Sequence, residues 1–185
     1  MKPWDIIERK ELVNASPFLK LYRETVRLEN GEQINDYYTI DQQDYIAVFA
    51  MISPQEILGI RHYKHGAKKI NLGLPSGYIE GCESPLSAAK RELLEETGYI
   101  ANDWRPLGTF VVDGNRGCGN VHVFFARDLV KKQEPASGDL ETMSLERINL
   151  VQLPELLETG VVATLGAAIG ISLGLLKIKS SLEEG

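Results

Sequence analysis

Cysteine is scarce in this chain of 185 residues: Cys82 and Cys118 are the only two, and they form no C-x-x-C pair. That excludes a disulfide framework or a cysteine zinc site and suits a reduced, cytoplasmic protein with ordinary thiols. Histidine is also sparse. His62, His65 and His122 supply no ligand set, because the first two lie three apart on a strand-to-loop stretch and point in different directions. Positive charge is in deficit: 20 Lys and Arg against 26 Asp and Glu give a net charge of −6. A nucleic-acid partner is thereby excluded, since a backbone binder needs a basic surface to displace counterions. An acidic protein can still bind phosphates, but only through metal ions or a local basic pocket.

Long apolar runs are missing too. The N-terminus "MKPWDIIERKE" has no apolar core of signal-peptide length, so nothing suggests export. The longest candidate, "VVATLGAAIGISLGLL" at 161–176, falls short of the roughly 20 residues a span needs. Gly166, Gly170 and Gly174 recur in it at four-residue spacing, which allows close helix approach. The expectation is a C-terminal helix packed tightly on the core, with no membrane partner. Internal repeats, low-complexity tracts and long linkers are absent as well. So are a G-x-S-x-G serine nucleophile and a G-x-G-x-x-G or Gly-Lys-Ser/Thr nucleotide fingerprint, "GNRGCG" matching neither.

What is present is a strand-rich chain. "FLKLYRETVRL" alternates with period two and is followed by an Asn-Gly turn. "DYIAVFAMI" (44–52) reads as a buried strand, and "EILGIRHYK" (56–64) returns after Ser53-Pro54. Further strands are expected at 107–112 and 120–127, with a short helix near 154–159 before the apolar one. We expect an N-terminal antiparallel β segment over 1–40 and a main domain over 41–185. The fold class is α/β (α+β), since strands and helices do not alternate strictly.

The clearest helix runs from Pro85, with Ser84 as N-cap and Gly98 as C-cap. At about 100° per residue, Leu86, Ala89 and Leu93 form its core face, with Thr97 beside them. Glu92, Glu95 and Glu96 gather on the neighbouring face, with Arg91 one turn before Glu95. Like charges so placed repel, at a cost of a few tenths of a kcal/mol per pair. The cluster becomes favourable once a hard divalent cation neutralises it, and Mg²⁺ prefers a few carboxylates together with water and substrate phosphates. The residues alone therefore give a Mg²⁺ site that meets a phosphate.

Residues 77–99, "GYIEGCESPLSAAKRELLEETGY", match without a gap the pattern G-x5-E-x7-R-E-U-x-E-E-x-G-U, where U is a bulky apolar residue. This resembles the Nudix box, with Gly77, Glu83, Arg91, Glu92, Glu95, Glu96 and Gly98 at the fixed positions and Leu93 and Tyr99 at U. The resemblance implies the Nudix fold, an α/β/α sandwich with a mixed sheet. It also implies hydrolysis of a nucleoside diphosphate linked to another moiety. Glu92 and Glu96 would ligate Mg²⁺, with Mn²⁺ as a substitute, and a backbone carbonyl near Ser76–Gly77 would complete the site. Glu95 would ligate or act as base, and Glu83 would support the loop.

Outside the box, "SPFLKLYRETVRLENGE", "IRHYKHG" and the apolar C-terminal helix are similar to the ADP-ribose pyrophosphatase branch. That implies a small-molecule substrate, ADP-ribose cleaved to AMP and ribose 5-phosphate or another NDP-sugar, and a homodimer whose N-terminal strands reach the partner. A loop glutamate, Glu141 before Glu146, would activate the water. Arg61, Tyr63, Lys64 and Arg116 are candidate substrate contacts. Two positions depart from the branch: Gly73 stands where a glutamate is common, and "VVDGNRGCG" where a Ser-Pro-Gly loop is common. The alternatives are a non-catalytic nucleotide-binding module on the same fold, or an enzyme acting on nucleoside triphosphates or dinucleotides.

Overall fold

Continuous apolar sequence over Tyr45–Ser53 makes a strand buried on both faces, labelled β4, and the rest of the main unit is arranged around it. The computed structural model describes residues 1–136, 138 and 142–183, and no side chain beyond 180. Two compact units emerge: residues 1–44 with 110–120, and residues 45–109 with 121–185.

In the first unit, β1 (Asp5–Ala15), β2 (Leu19–Arg27) and β3 (Gln33–Asp41) form an antiparallel meander. Every residue of β1 is exposed, including Ile6, Ile7, Leu12 and Val13. This unit also holds the tip of a long hairpin whose strands are β8 (Tyr99–Asp113) and β9 (Gly117–Lys131). Both are longer than the 107–112 and 120–127 expected, because polar and charged residues such as Asn102, Asp103 and Asp128 lie within strands where periodicity alone reads loop.

The second unit is a mixed sheet between helices. β4 pairs in parallel with the Val121–Ala126 stretch of β9 and antiparallel with β5 (Glu56–Lys64) and β7 (Ser76–Tyr78). β5 pairs antiparallel with β6 (Lys69–Gly73) on one side and β10 (Met143–Asn149) on the other. Alternation along β4 sends Ile46, Val48 and Ala50 to one face, where they pack with Ala88, Ala89 and Leu93 of α1 (Pro85–Thr97). Phe49 points to the other face and packs with Ala167 and Ile171 of α3 (Leu165–Glu183). Each fully buried large side chain of this kind contributes about 1.5–3 kcal/mol. A 3-10 turn at Leu150–Gln152 and α2 (Leu153–Glu158) close the α3 side, with Leu153 in the same core.

The glycine spacing of α3 has a local cause. A β-carbon on Gly170 would come 2.6 Å from Leu74 Cδ1, and one on Gly174 would overlap the Phe49 ring. These glycines bring the helix backbone down onto β4 and the segment after β6. No helix among the described residues is long and apolar enough to cross a membrane.

Candidate active site

Helix α1 starts and stops where its end groups demand. Ser84 accepts a hydrogen bond from the Ser87 N–H, Pro85 opens the first turn, and Gly98 closes it at φ 77° with its N–H on Leu94 O. A side chain at Gly98 would also strike Gln133 O. The buried face is Ala88, Ala89, Leu93, Glu96 and Thr97. Leu86, expected inside, is 36% exposed, and Ala88 takes the inward position. The buried stripe thus runs through 88, 89, 93, 96 and 97, rotated from the expected 86, 89, 93 and 97, and the Thr97 hydroxyl on it donates to Leu93 O.

That rotation carries Glu96 to the core boundary, 6% exposed, where its Oε2 accepts the Ser76 N–H at 2.8 Å. The bond joins the helix to β7, which is itself fixed by pairing with Tyr45–Ala47. Glu92 is the next most covered acid, with a side chain 12% exposed, and its carboxylate lies directly against Gly77. Glu95 is the open one, 39% exposed.

Arg91 holds the group together. Its Nη1 donates to Glu92 at 2.7 Å and to Glu95 at 3.1 Å, while Nη2 donates to Glu83 at 2.7 Å and to Tyr78 O at 3.0 Å. Bonding first to Glu83 and then to Glu92 and Glu95 pushes the guanidinium pKa well above its ordinary value. Glu83 is shifted the opposite way, its carboxylate held below the ordinary range by Arg91 and then by the Glu80 N–H. Arg91 engages Glu92 and Glu95 while the Ser76 N–H engages Glu96, and no three His, Cys, Asp or Glu side chains converge as a ligand set among the described residues. The donors nonetheless suit a hard divalent cation: three carboxylates within two turns of one helix, facing a loop whose Gly77 adds no bulk.

Beside Ser76 and Gly77 opens a cavity of about 310 Å³. Tyr45, His62, Lys64, Asn71, Tyr78 and Thr164 supply its polar and aromatic lining. Burial and then Tyr78 raise the Tyr45 phenol above its ordinary value. A larger hollow of about 680 Å³ lies at the other end of β4, around Met51–Pro54 and Lys177. It contains no box residue, whereas Gly77 lines the smaller cavity.

The other candidates are dispersed. Lys64 lines the cavity, but Arg61 and Tyr63 of β5 do not. Arg61 is committed to Glu146 on β10 by two hydrogen bonds of 2.6 and 3.0 Å, which raise its pKa. Tyr63 is exposed with its hydroxyl 3.3 Å from His65 Nδ1. Arg116 belongs to the first unit, where it donates to Tyr38 O at 3.3 Å and lies 5.6 Å from the Tyr37 ring centroid. Glu141 lies outside the described residues. Sequence reasoning missed Tyr45, His62, Asn71 and Thr164. Strand alternation was the available signal for His62, since it must share a face with Lys64.

A family model for the NUDIX domain matches residues 42–165. The chain is 27% identical over 175 residues to an ADP-ribose pyrophosphatase of Bacillus subtilis, covering 94% of this chain and 93% of that one. It is 28% identical over 145 residues to a methanol dehydrogenase activator of Bacillus methanolicus, covering 78% and 76%. Among solved structures, an ADP compounds hydrolase superposes with a TM-score of 0.86 over 98% of this chain and 97% of that one, at 20% identity.

Proposed function

This chain belongs to the Nudix family and is a Nudix pyrophosphohydrolase, and from that premise we propose that it cleaves ADP-ribose to AMP and ribose 5-phosphate with Mg²⁺, other nucleoside diphosphate sugars being the next class. The observation that carries the reading is the packing of Glu92 and Glu96, with Glu95 beside them and Arg91 bracing the group, against Ser76 and Gly77, the two residues that also line the 310 Å³ cavity.

Glu92, Glu96 and the backbone of Ser76–Gly77 would hold the cation, all through oxygen, and Mn²⁺ would substitute. Bound there, a divalent cation supplies charge neutralisation for the diphosphate and a more acidic water. The remaining work falls to the chain. Glu95 is the exposed carboxylate of the three and accepts the proton of the attacking water, with Arg91 fixing its position. Water oxygen bonds to one phosphorus as the bridging P–O bond breaks, leaving two phosphate monoesters. Lys64 lines the cavity from β5, which supports its role in this reading as the group that meets phosphate oxygens. Glu141 is retained as a second candidate base. We also take the chain as a homodimer through the exposed β1, which light scattering in solution would read as twice the chain mass.

The test is product release from a panel of ADP-ribose, NDP-sugars, dinucleotides and nucleoside triphosphates with Mg²⁺. ADP-ribose should give AMP and ribose 5-phosphate, and Glu96→Gln should remove most of the rate. A panel without turnover, or a Glu96→Gln protein as active as the parent, defeats the reading.

A further inference from the structure

Lys64 is the only lysine or arginine among the described residues that line the 310 Å³ cavity. Among the described residues that line it, none is an Asp or Glu, and its deepest polar groups are two neutral-capable side chains, His62 and Asn71. They are paired across β5 and β6 and are 3% and 1% exposed. Both face the space above Gly73, where a β-carbon would stand 3.2 Å from Asn71 Nδ2 and 3.3 Å from His62 Nε2. Residue 73 is thus a window: any side chain there would cover the pair.

The bonding direction in the pair is fixed from outside. Asn71 Oδ1 accepts the Ala163 N–H at 2.7 Å, and an N–H can only donate, so the amide cannot be turned over. Its Nδ2 therefore faces His62 Nε2 as a donor, a contact that attracts only in the tautomer with a lone pair on Nε2 and the proton on Nδ1. The Nδ2–Nε2 separation is 3.5 Å, beyond the usual range for such a bond. A hydroxyl seated above Gly73 would make two shorter bonds, accepting from Asn71 and donating to His62. A phosphate oxygen without a proton could make only the first.

We propose that Asn71 and His62, uncovered by Gly73, select the non-nucleotide half of the substrate by reading one sugar hydroxyl as donor and acceptor together. The inference rests on the diphosphate-sugar reading above and extends it by naming the residues that choose the sugar. Sites built to bond a substrate hydroxyl reject analogues that lack it, because the buried polar groups are then left poorly paired.

The experiment is ¹⁵N NMR of histidine-labelled full-length protein, with the His62 signals assigned through His62→Gln. The expected free protein shows a bare Nε2 and a protonated Nδ1. Ribose 5-phosphate should move the Nε2 signal, and sulfate, which carries no proton at neutral pH, should not. In Asn71→Asp, which keeps the Ala163 bond but presents an acceptor to the ring, Nε2 should become protonated and the response to the sugar should vanish. A protonated Nε2 in the parent, or an Nε2 signal blind to ribose 5-phosphate, overturns the proposal. Neither readout needs turnover, so failure here is separable from failure of the hydrolase reading. Where the panel gives turnover, distal deoxy-sugar analogues should lose about tenfold in kcat/KM on the parent, chiefly through KM, for a bond pair worth about 1.4 kcal/mol. Asn71→Asp should no longer distinguish them. Equal losses on parent sugar and deoxy analogues would mark a purely structural role and sink it.

Discussion

The carboxylate of Glu92 occupies the volume that a β-carbon on Gly77 would fill. The helix and the loop before it therefore meet without an intervening side chain, and the loop backbone becomes available to the same space as the carboxylate. Gly77 is not among the residues with positive φ, so the backbone itself would accept alanine. Gly77→Ala should fold with little change in melting temperature and still lose about 100-fold in kcat/KM, because the methyl displaces Glu92 by the order of an ångström. Steady-state kinetics beside a thermal melt checks this; full activity would show that the contact is incidental.

Arg91 reaches Glu83, Glu92, Glu95 and Tyr78 O with one guanidinium. Lysine carries the same charge but has no planar fork and cannot brace the four acceptors at once. Arg91→Lys should raise the Mg²⁺ concentration needed for half-maximal rate by about 10–100-fold, the usual cost of losing a group that orients metal ligands. A Mg²⁺ titration of the rate at saturating substrate measures it, and an unchanged midpoint would remove Arg91 from that role.

Much of this was legible along the chain because the signals are local. Ser84, Pro85 and Gly98 delimit α1, and the glutamate spacing needs only the helical period to bring three acids together. The cavity was not legible for the opposite reason. His62 and Asn71 are nine residues apart and meet only through the β5–β6 register, while Ala163, which orients Asn71, comes from a segment 92 residues downstream. Arg61 reads as a phosphate contact until β10 brings Glu146 beside it. Pairing partners of high sequence separation leave no trace in a single strand's pattern.

The glycines of α3 give a stability test whose sign is not obvious. Glycine to alanine inside a helix ordinarily gains about 1 kcal/mol. At Gly174 the new methyl would fall on the Phe49 ring, which is fully buried and stacked on Phe125 with centroids 5.6 Å apart. Overpacking of this kind costs about 1–3 kcal/mol, so the net change should be destabilising. Gly174→Ala should lower the melting temperature by about 2–4 °C per kcal/mol of net loss. A rise on calorimetry would mean that the helix can lift from β4 at no cost.

Tyr45 links the cavity to pH. Its phenol is shifted above the ordinary value of 10.0, first by burial and then by Tyr78, so the folded state disfavours the phenolate. A group whose folded pKa is raised contributes stability that is complete below its unfolded pKa and is lost as pH climbs through the folded one. The loss should therefore begin near pH 10 and continue above it, with nothing changed at neutral pH. In an ultraviolet titration of the seven tyrosines, two, Tyr22 and Tyr45, should ionise late in the parent, and Tyr45→Phe should remove one equivalent from that late step. The variant should also flatten the decline in stability above pH 10. Because Tyr45 lines the cavity, ligand binding should push its ionisation higher still, and a late step indifferent to both the substitution and the ligand would place the buried phenol elsewhere.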